Sequence, residues 1–491
     1  MDPREGNKEP EMKTAQWAHQ QKEFMEHRYD EARAWLWQMR TGKTKMAIDN
    51  ACHLAECLEI RGVVVVAPNG VHRNWIDREL GLHHWDSIDV NGFAWRNSDS
   101  HNTSKFMAFM DVVARGRRRN QLHWFAVNME SLIVERTRHA LASFTKATGS
   151  VLGIFDESHH FGVPGAKRTG IARGLARLCA YRRILTGTAV ENSPLQAFSQ
   201  YELLNKGALG FRTFGEFKTT FANYETAYGS GARRYQRLVG YKNLDLLRDR
   251  MAPLSSVVLR SDVEELPPVQ CDVRPVALSP TLRKAWHDCK SKVSKFFQER
   301  GALNIADGGA ALIKLQQIEG GFWKQDEKIE QLVAPEHNPK IEALKDEIYQ
   351  HDGQVLVWCI YRHEIEALKL VFGREACTLY GGTLDRQKVI GDFRRGDYRI
   401  AIAQPLAVGE GQDFSTASKI VWFSQTPDAI VRAQANERAT AKGKGSVQIV
   451  DLVWPGGTDE YFLTLTRRKV TLADAMSRDG MVMILNRLQG D

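Results

Sequence analysis

At 491 residues, with 43% hydrophobic and 26% charged content, the chain has the make-up of an ordinary soluble globular protein of two or three domains. A net charge of +8 admits a polyanionic partner without requiring one, since many basic proteins bind no nucleic acid. Seven scattered cysteines with no C-x-x-C pair fit reduced thiols, and no run approaches the roughly 18 apolar residues of a membrane span, so a soluble, cytoplasmic protein with no membrane partner is expected.

In chain order, short apolar runs alternate with longer stretches of helical pattern. RGVVVVAP (61–68), LHWFAVN (122–128), VLGIFDE (151–157) and RRILTGT (182–188) read as buried parallel strands with crossover helices. The basic run RGRRRN (115–120) between two of them reads as a solvated loop in preference to a specific DNA contact. The alternation stops over 206–250, which is mixed and polar, and 280–330 reads mainly as helix. It resumes at QVLVWCIY (354–361), CTLYGG (377–382), YRIAIAQ (398–404), KIVWFS (419–424) and SVQIVDLV (446–453). The expected architecture is two α/β lobes, parallel sheets flanked by helices, with helical insertions. The first lobe spans 1–205 and a helical insertion and bridge 206–265. A linker and second insertion follow at 266–335, then the second lobe at 336–491, with a hinge near LPPVQCDV (266–273).

MRTGKTKMAI (39–48) carries the first chemistry. Its core, Thr41, Gly42, Lys43 and Thr44, opens a helix, where backbone N–H groups and the helix dipole favour phosphate. Lys43 would reach the β- and γ-phosphates of a nucleotide, and the Thr44 hydroxyl would bind Mg²⁺. Trp37 stands where the full G-x-x-x-x-G-K-T pattern has its first glycine. Some 110 residues on, IFDESHHFG (154–162) places two acids at a strand end. Asp156 can hold Mg²⁺, and Glu157 can orient or deprotonate an attacking water. Zinc is the rival reading, but it needs three or four convergent ligands, and adjacent side chains at a strand end diverge. His159 fits a part in reporting nucleotide state, and His160 reads as a loop residue.

Together these segments resemble the superfamily 2 helicase-like ATPases, in particular their SWI/SNF-like branch, over about residues 16–476. AHQQKEF (18–24) resembles the adenine-reading glutamine motif, with Gln20 in the reading position. VVAPNGVHRNWIDRE (65–79) and FAVNMESL (125–132) resemble DNA-contacting segments, which would place Pro68, Asn69 and Asn128 on DNA. DESHHFGVPGAKRT (156–169) follows the DE-x-H box. LTGTAVENSPLQAFSQYELL (185–204) is similar to the branch's LTGTP signature, Ala189 replacing proline, and would bring Thr186 and Thr188 to nucleic acid. FRTFGEFKTTF (211–221) and LRSDVEELPP (259–268) resemble the insertion and bridging segments that set this branch apart from unwinding helicases. In the second lobe, GGTLDRQKVIGDFRRGDYRIAIAQ (381–404) would set Thr383 on a DNA phosphate. AVGEGQDF (407–414) resembles a glycine-rich loop matched at Gly409 and Gly411, with Asp413 for the branch's usual asparagine, and would bring Gly411 and Asp413 to the nucleotide, although an ordinary turn would also explain it. QANERATAKGKG (434–445) matches the arginine motif at Gln434, Ala435 and Arg438, but its second arginine falls on Ala441. Arg432, Lys442 or Lys444 are the possible substitutes, a lysine lacking arginine's fork.

The resemblance implies two RecA-like P-loop lobes and an ATP- and Mg²⁺-dependent DNA translocase, hydrolysing ATP in a cleft with Arg438 on its second wall. Its partner would be double-stranded or branched DNA held mostly by phosphates, its setting a bacterial or phage-infected cell, and its protein partners unknown. Two other functions remain open: a strand-separating DNA or RNA helicase, and an ATP-binding DNA scaffold with weak hydrolysis.

Overall fold

The computed structural model describes residues 12–96, 102–115, 120–187, 193–228, 234–263, 269–300, 305–325, 328–408, 412–439, 446–468, 472 and 481–488. The chain divides into two compact units, Met1–Val263 and Glu264–Asp491.

Unit 1 is built on strands β1 (Ala32–Trp37), β2 (Gly62–Ala67), β3 (Asp89–Ala94), β4 (Gln121–Asn128), β5 (Val151–Asp156) and β6 (Tyr181–Leu185). A hairpin, β7 (Ala222–Tyr228) and β8 (Arg234–Tyr241), and a short strand, β9 (Ser255–Val258), follow. Seven of the nine form one sheet in the order β3-β4-β2-β5-β6-β1-β9, every neighbouring pair parallel. A parallel sheet covered by helices on both faces needs continuous apolar strands, and Val63 to Val66 of β2 and Leu152, Ile154 and Phe155 of β5 are fully buried accordingly. Helices Asn102–Arg115 and Glu135–Thr148 close one face, Phe109 stacking on Phe144 and both rings packing at a tilt on Phe125 of β4.

One expectation is corrected in this unit's last third. The stretch read as a helical insertion holds helices Phe214–Phe221 and Leu244–Met251, but between them lies the antiparallel β7–β8 ribbon. Ahead of the segment read as the bridge, the chain returns to the main sheet, where β9 pairs with β1 from Ala34↔Ser255 to Trp37↔Val258.

Unit 2 carries β10 (Val269–Pro275), a small hairpin β11 (Phe322–Gln325) and β12 (Lys328–Gln331), then β13 (Gln354–Trp358), β14 (Ala376–Leu379), β15 (Ile400–Ala403), β16 (Ala417–Trp422) and β17 (Val447–Val453). Its main sheet is again parallel throughout, in the order β10-β17-β16-β13-β15-β14. The segment expected to be a hinge is, from Val269 onward, the edge strand β10, paired with β17 over seven residues. Helices Pro280–Arg300 and Ile305–Glu319 form the insertion, seated by Leu282, Trp286, Leu312, Leu315 and Ile318 against Trp454 and Phe462. Each unit is thus a twisted parallel sheet flanked by helices, the RecA-like arrangement expected for each lobe.

Candidate functional site

The order β5-β6-β1 sets three strand ends side by side, and the residues that follow them share one edge of unit 1. In open parallel α/β sheets ligands bind outside the carboxyl ends of the strands. After β1 the chain turns through Arg40 and Gly42, both at positive φ (62° and 87°), into helix Lys43–Glu56. No side chain caps that helix, so its first N–H groups are left for another acceptor, and fourteen residues of aligned peptide dipole point positive charge at it. The Lys43 ammonium is buried and donates to the Trp37 and Gln38 carbonyls at 2.7 and 3.3 Å. It spans the loop from inside. Thr44 is half-buried in the first turn. The Thr41 hydroxyl is committed to the Gln38 carbonyl at 2.6 Å.

Gln20 braces this loop. Its Nε2 donates to the Gly42 carbonyl at 2.9 Å, and its Oε1 accepts from the Trp17 backbone N–H at 2.8 Å. His19 adds a 2.8 Å contact to the Thr41 carbonyl. The other flank is held by the β9 segment: Gln38 N–H donates to the Val258 carbonyl, the Gln38 Oε1 accepts from the Arg260 N–H at 2.7 Å, and the Trp37 indole donates to Ser256.

At the end of β5 the two acids part. Asp156 Oδ2 accepts from the Trp75 indole at 3.0 Å, and its Oδ1 accepts from the Glu157 backbone N–H at 3.0 Å. Glu157 is left-handed (φ 47°), which swings its carboxylate to His159 at 3.2 Å. Burial pushes the Glu157 carboxyl up, but the His159 hydrogen bond and the charges of Lys43, His159 and His160 outweigh it and hold it below the ordinary carboxylate range. The Lys43 contribution ties the phosphate loop electrostatically to the acid pair. His159 Nδ1 also meets the Thr186 hydroxyl at 3.1 Å, and Ser158 donates to Gln200 at 2.9 Å. Each polar group of D-E-S-H thus goes to a different partner. Among the described residues no three His, Cys, Asp or Glu side chains gather as a metal-ligand set.

The structure therefore brings Lys43, Thr44, Asp156, Glu157 and Thr186 to one edge, with Gln20, Thr41 and Gly42 forming the loop and its brace. This edge suits a nucleotide triphosphate with Mg²⁺: uncapped helix N–H groups and Lys43 for the phosphates, Thr44 and Asp156 for the ion. Thr186 is fully buried on His159. Pro68 is buried and accepts from the His72 N–H, whereas Asn69 beside it is exposed. Asn128 Oδ1 accepts from the Glu130 N–H at 2.8 Å, starting a short helical turn.

In unit 2, Arg438 ends helix Ala429–Glu437, buried, donating to the Pro405 carbonyl at 2.9 Å and lying 5.7 Å over Trp358. Gln434 is half-buried on the same helix. Asp413 accepts from the Ser415 N–H and faces Arg394 at 3.6 Å. The Thr383 hydroxyl accepts from the Tyr380 N–H at 3.1 Å, in the turn after β14. Arg432, one substitute considered for the second arginine, has its guanidinium held by Gln425 and Asp451 and lies 4.7 Å over Trp422. Thr188, Gly409, Gly411, Ala441, Lys442 and Lys444 lie outside the described residues. Sequence reasoning missed Trp75, Gln200, Gln38 and Ser256. Only Trp75 had a signal, a tryptophan inside an otherwise polar stretch.

The family of helicase conserved C-terminal domains matches residues 339–443. The DNA annealing helicase and endonuclease ZRANB3 of Mus musculus is 26% identical over 330 residues, 64% of this chain and 29% of that protein. The TATA-binding protein-associated factor mot1 of Aspergillus fumigatus is 23% identical over 380 residues, 66% of this chain and 20% of that protein. The matched region thus spans less than a third of either relative's length. Among solved structures, the Sulfolobus solfataricus SWI2/SNF2 ATPase core in complex with dsDNA aligns over 98% of this chain and 96% of its own. Its identity is 16% and its TM-score 0.41. The helicase C-terminal match over residues 339–443 of unit 2 and the two curated relatives, each similar over about two thirds of this chain, are in keeping with the resemblance to superfamily 2 helicase-like ATPases carried by the ordered motifs.

Proposed function

We propose that this protein is an ATP-dependent translocase on double-stranded DNA, powered by hydrolysis at the carboxyl edge of β5, β6 and β1. The observation that carries the reading is the convergence of an uncapped phosphate-binding helix with Lys43 on one side and a divided acid pair on the other. Mg²⁺–ATP, held by the helix N-terminus, Lys43, Thr44 and Asp156, supplies the phosphoryl group to be transferred. Glu157, kept ionised by its neighbours, orients the attacking water and accepts its proton. His159 joins Glu157 to Thr186, so a change at the acid reaches the segment after β6. For Arg438 of unit 2 the support is its arginine motif alone, which implies a part in ATP turnover. DNA is gripped by its phosphates, through segments that include Asn69, Asn128, Thr188 and Thr383, and so with little sequence preference.

The reading is tested by ATP turnover with equal amounts of duplex DNA, single-stranded DNA and RNA. A duplex translocase responds most to duplex, whereas preference for single strands or RNA would move the protein to the unwinding or RNA-directed branches. The scaffold reading rests on Ala441 together with the internal commitment of Arg432. It is favoured only if ATP and duplex DNA both bind and no nucleic acid raises turnover.

A further inference from the structure

Unit 2 buries a polar cluster that the hydrolysis site does not use. Glu319, Lys340, Glu364 and Asp459 are each at most 2% exposed, and burying such groups is expensive unless every one is paired. Lys340 donates to Asp459, and Glu319 accepts from the Trp286 indole at 3.1 Å and the Asp459 N–H at 3.0 Å. Glu364 accepts from the Ser424 hydroxyl at 2.6 Å. At the centre is Gln316, on the insertion helix Ile305–Glu319. Its Oε1 accepts from the Tyr361 hydroxyl at 2.7 Å, and its Nε2 donates to the Gln425 carbonyl at 2.6 Å and to Asp459 at 2.7 Å.

Gln425 follows β16 and is held at every polar atom. Its N–H donates to Asp459 at 2.8 Å, its carbonyl takes Gln316, its Nε2 reaches the Trp422 carbonyl at 3.4 Å, and its Oε1 accepts from Arg432. Arg432 lies on helix Ala429–Glu437, whose C-cap is Arg438. An unbroken line of hydrogen bonds therefore runs from the insertion helix through Gln316, Gln425 and Arg432 into the helix that carries Gln434 and Arg438. The insertion does not need Gln316 to stay seated, because Leu312, Leu315 and Ile318 already pack it against Leu282, Trp286, Trp454 and Phe462. A satisfied buried amide adds directional restraint where apolar packing tolerates sliding.

We propose that Gln316 is a positioning residue for ATP turnover, fixing through Gln425 and Arg432 the orientation of the helix that bears Arg438. The proposal rests on the hydrolytic reading above. It also gives the insertion a task, since anything that shifts helix Ile305–Glu319 is passed to the arginine helix.

Two variants test it in the full-length protein. Gln316→Leu keeps the volume and deletes the relay. Arg432→Lys keeps a charge beside Asp451 but lacks the fork that also reaches Gln425. Both should lower kcat about tenfold or more while KM for ATP moves less than about twofold, the signature of an interaction needed in the transition state and not for ATP binding. Lys419→Met, which breaks the buried Lys419–Glu347 pair elsewhere in unit 2, serves as the control for stability alone. It should lower the melting temperature and leave kcat at 25 °C unchanged. Amide exchange over residues 425–438, followed by mass spectrometry, should quicken in Gln316→Leu and not in Lys419→Met. The proposal is overturned if Gln316→Leu and Arg432→Lys lose no more turnover than Lys419→Met, or if exchange over 425–438 is unchanged. Should the parent hydrolyse no ATP, the hydrolytic reading fails by itself, and the exchange measurement still decides whether Gln316 holds the arginine helix.

Discussion

Asp156 and Glu157 are adjacent in sequence and opposite in surroundings, and their division of labour follows from that. Asp156 is fixed by an indole and a backbone N–H, in keeping with the ion-holding role proposed for it. Glu157 pays about 1–2 kcal/mol for its left-handed backbone and gains a histidine and a nearby ammonium, which keep it charged. Glu157→Gln should retain ATP binding and lose turnover by about 10³-fold or more, because the amide cannot take a proton from water. Equilibrium nucleotide binding beside single-turnover hydrolysis checks this, and parental turnover in the variant would remove Glu157 from the site. The acid pair and Lys43 were legible in the sequence because strand-end acids and a glycine-lysine helix start are local patterns. The Trp75 bond to Asp156 joins residues 81 apart, and no local pattern reports it. Thr186 illustrates the converse: its motif suggests nucleic acid, but its hydroxyl is spent on His159 inside unit 1.

Among the elements, the phosphate loop is the most constrained. Gly42 has φ of 87°, and a Cβ there would run into the Gln20 amide, so both backbone and brace require glycine. Gly42→Ala should weaken ATP binding by at least about tenfold, from a strain of about 1–2 kcal/mol plus displacement of Gln20. Far-ultraviolet circular dichroism should stay unchanged, because the altered residue precedes the helix. Unchanged ATP affinity would mean that the loop does not hold phosphate. The buried strands were legible as apolar runs, since a sheet covered on both faces admits little else. The β7–β8 ribbon was not, because ANYETAY and RYQRLVGY are largely polar and look like loop in a periodicity search. The edge strand β10 was not legible as a strand, because only one of its sides pairs and all seven of its residues are exposed or half-exposed, so its apolar signal is weak.

At the scale of the whole molecule, the two units should answer pH in opposite senses. In unit 1, burial pushes His53, His84 and His123 down to about 4. Between their unfolded value near 6.5 and about 4, the unfolded chain binds more protons, so unit 1 loses stability as pH falls through that window. In unit 2, burial raises Glu319 and Glu364 to about 7, with the Asp459 charge adding to the rise at Glu319 and Lys340 opposing it at both. Between the ordinary carboxylate range and about 7 the folded state holds more protons, so unit 2 loses stability as pH rises. Amide exchange at pH 5 and 7, corrected for intrinsic rates, should show unit 1 core peptides less protected at pH 5 and the Gln316 region more protected. Both units moving together would contradict the assignment. The central claim is that the edge formed by Lys43, Asp156 and Glu157 is an ATPase engine driven by duplex DNA. The most direct test is steady-state ATP hydrolysis by the parent and by Glu157→Gln, with and without linear duplex. Parental turnover should rise at least about tenfold with duplex, and the variant should show none. Turnover that ignores duplex, or that survives Glu157→Gln, would contradict it.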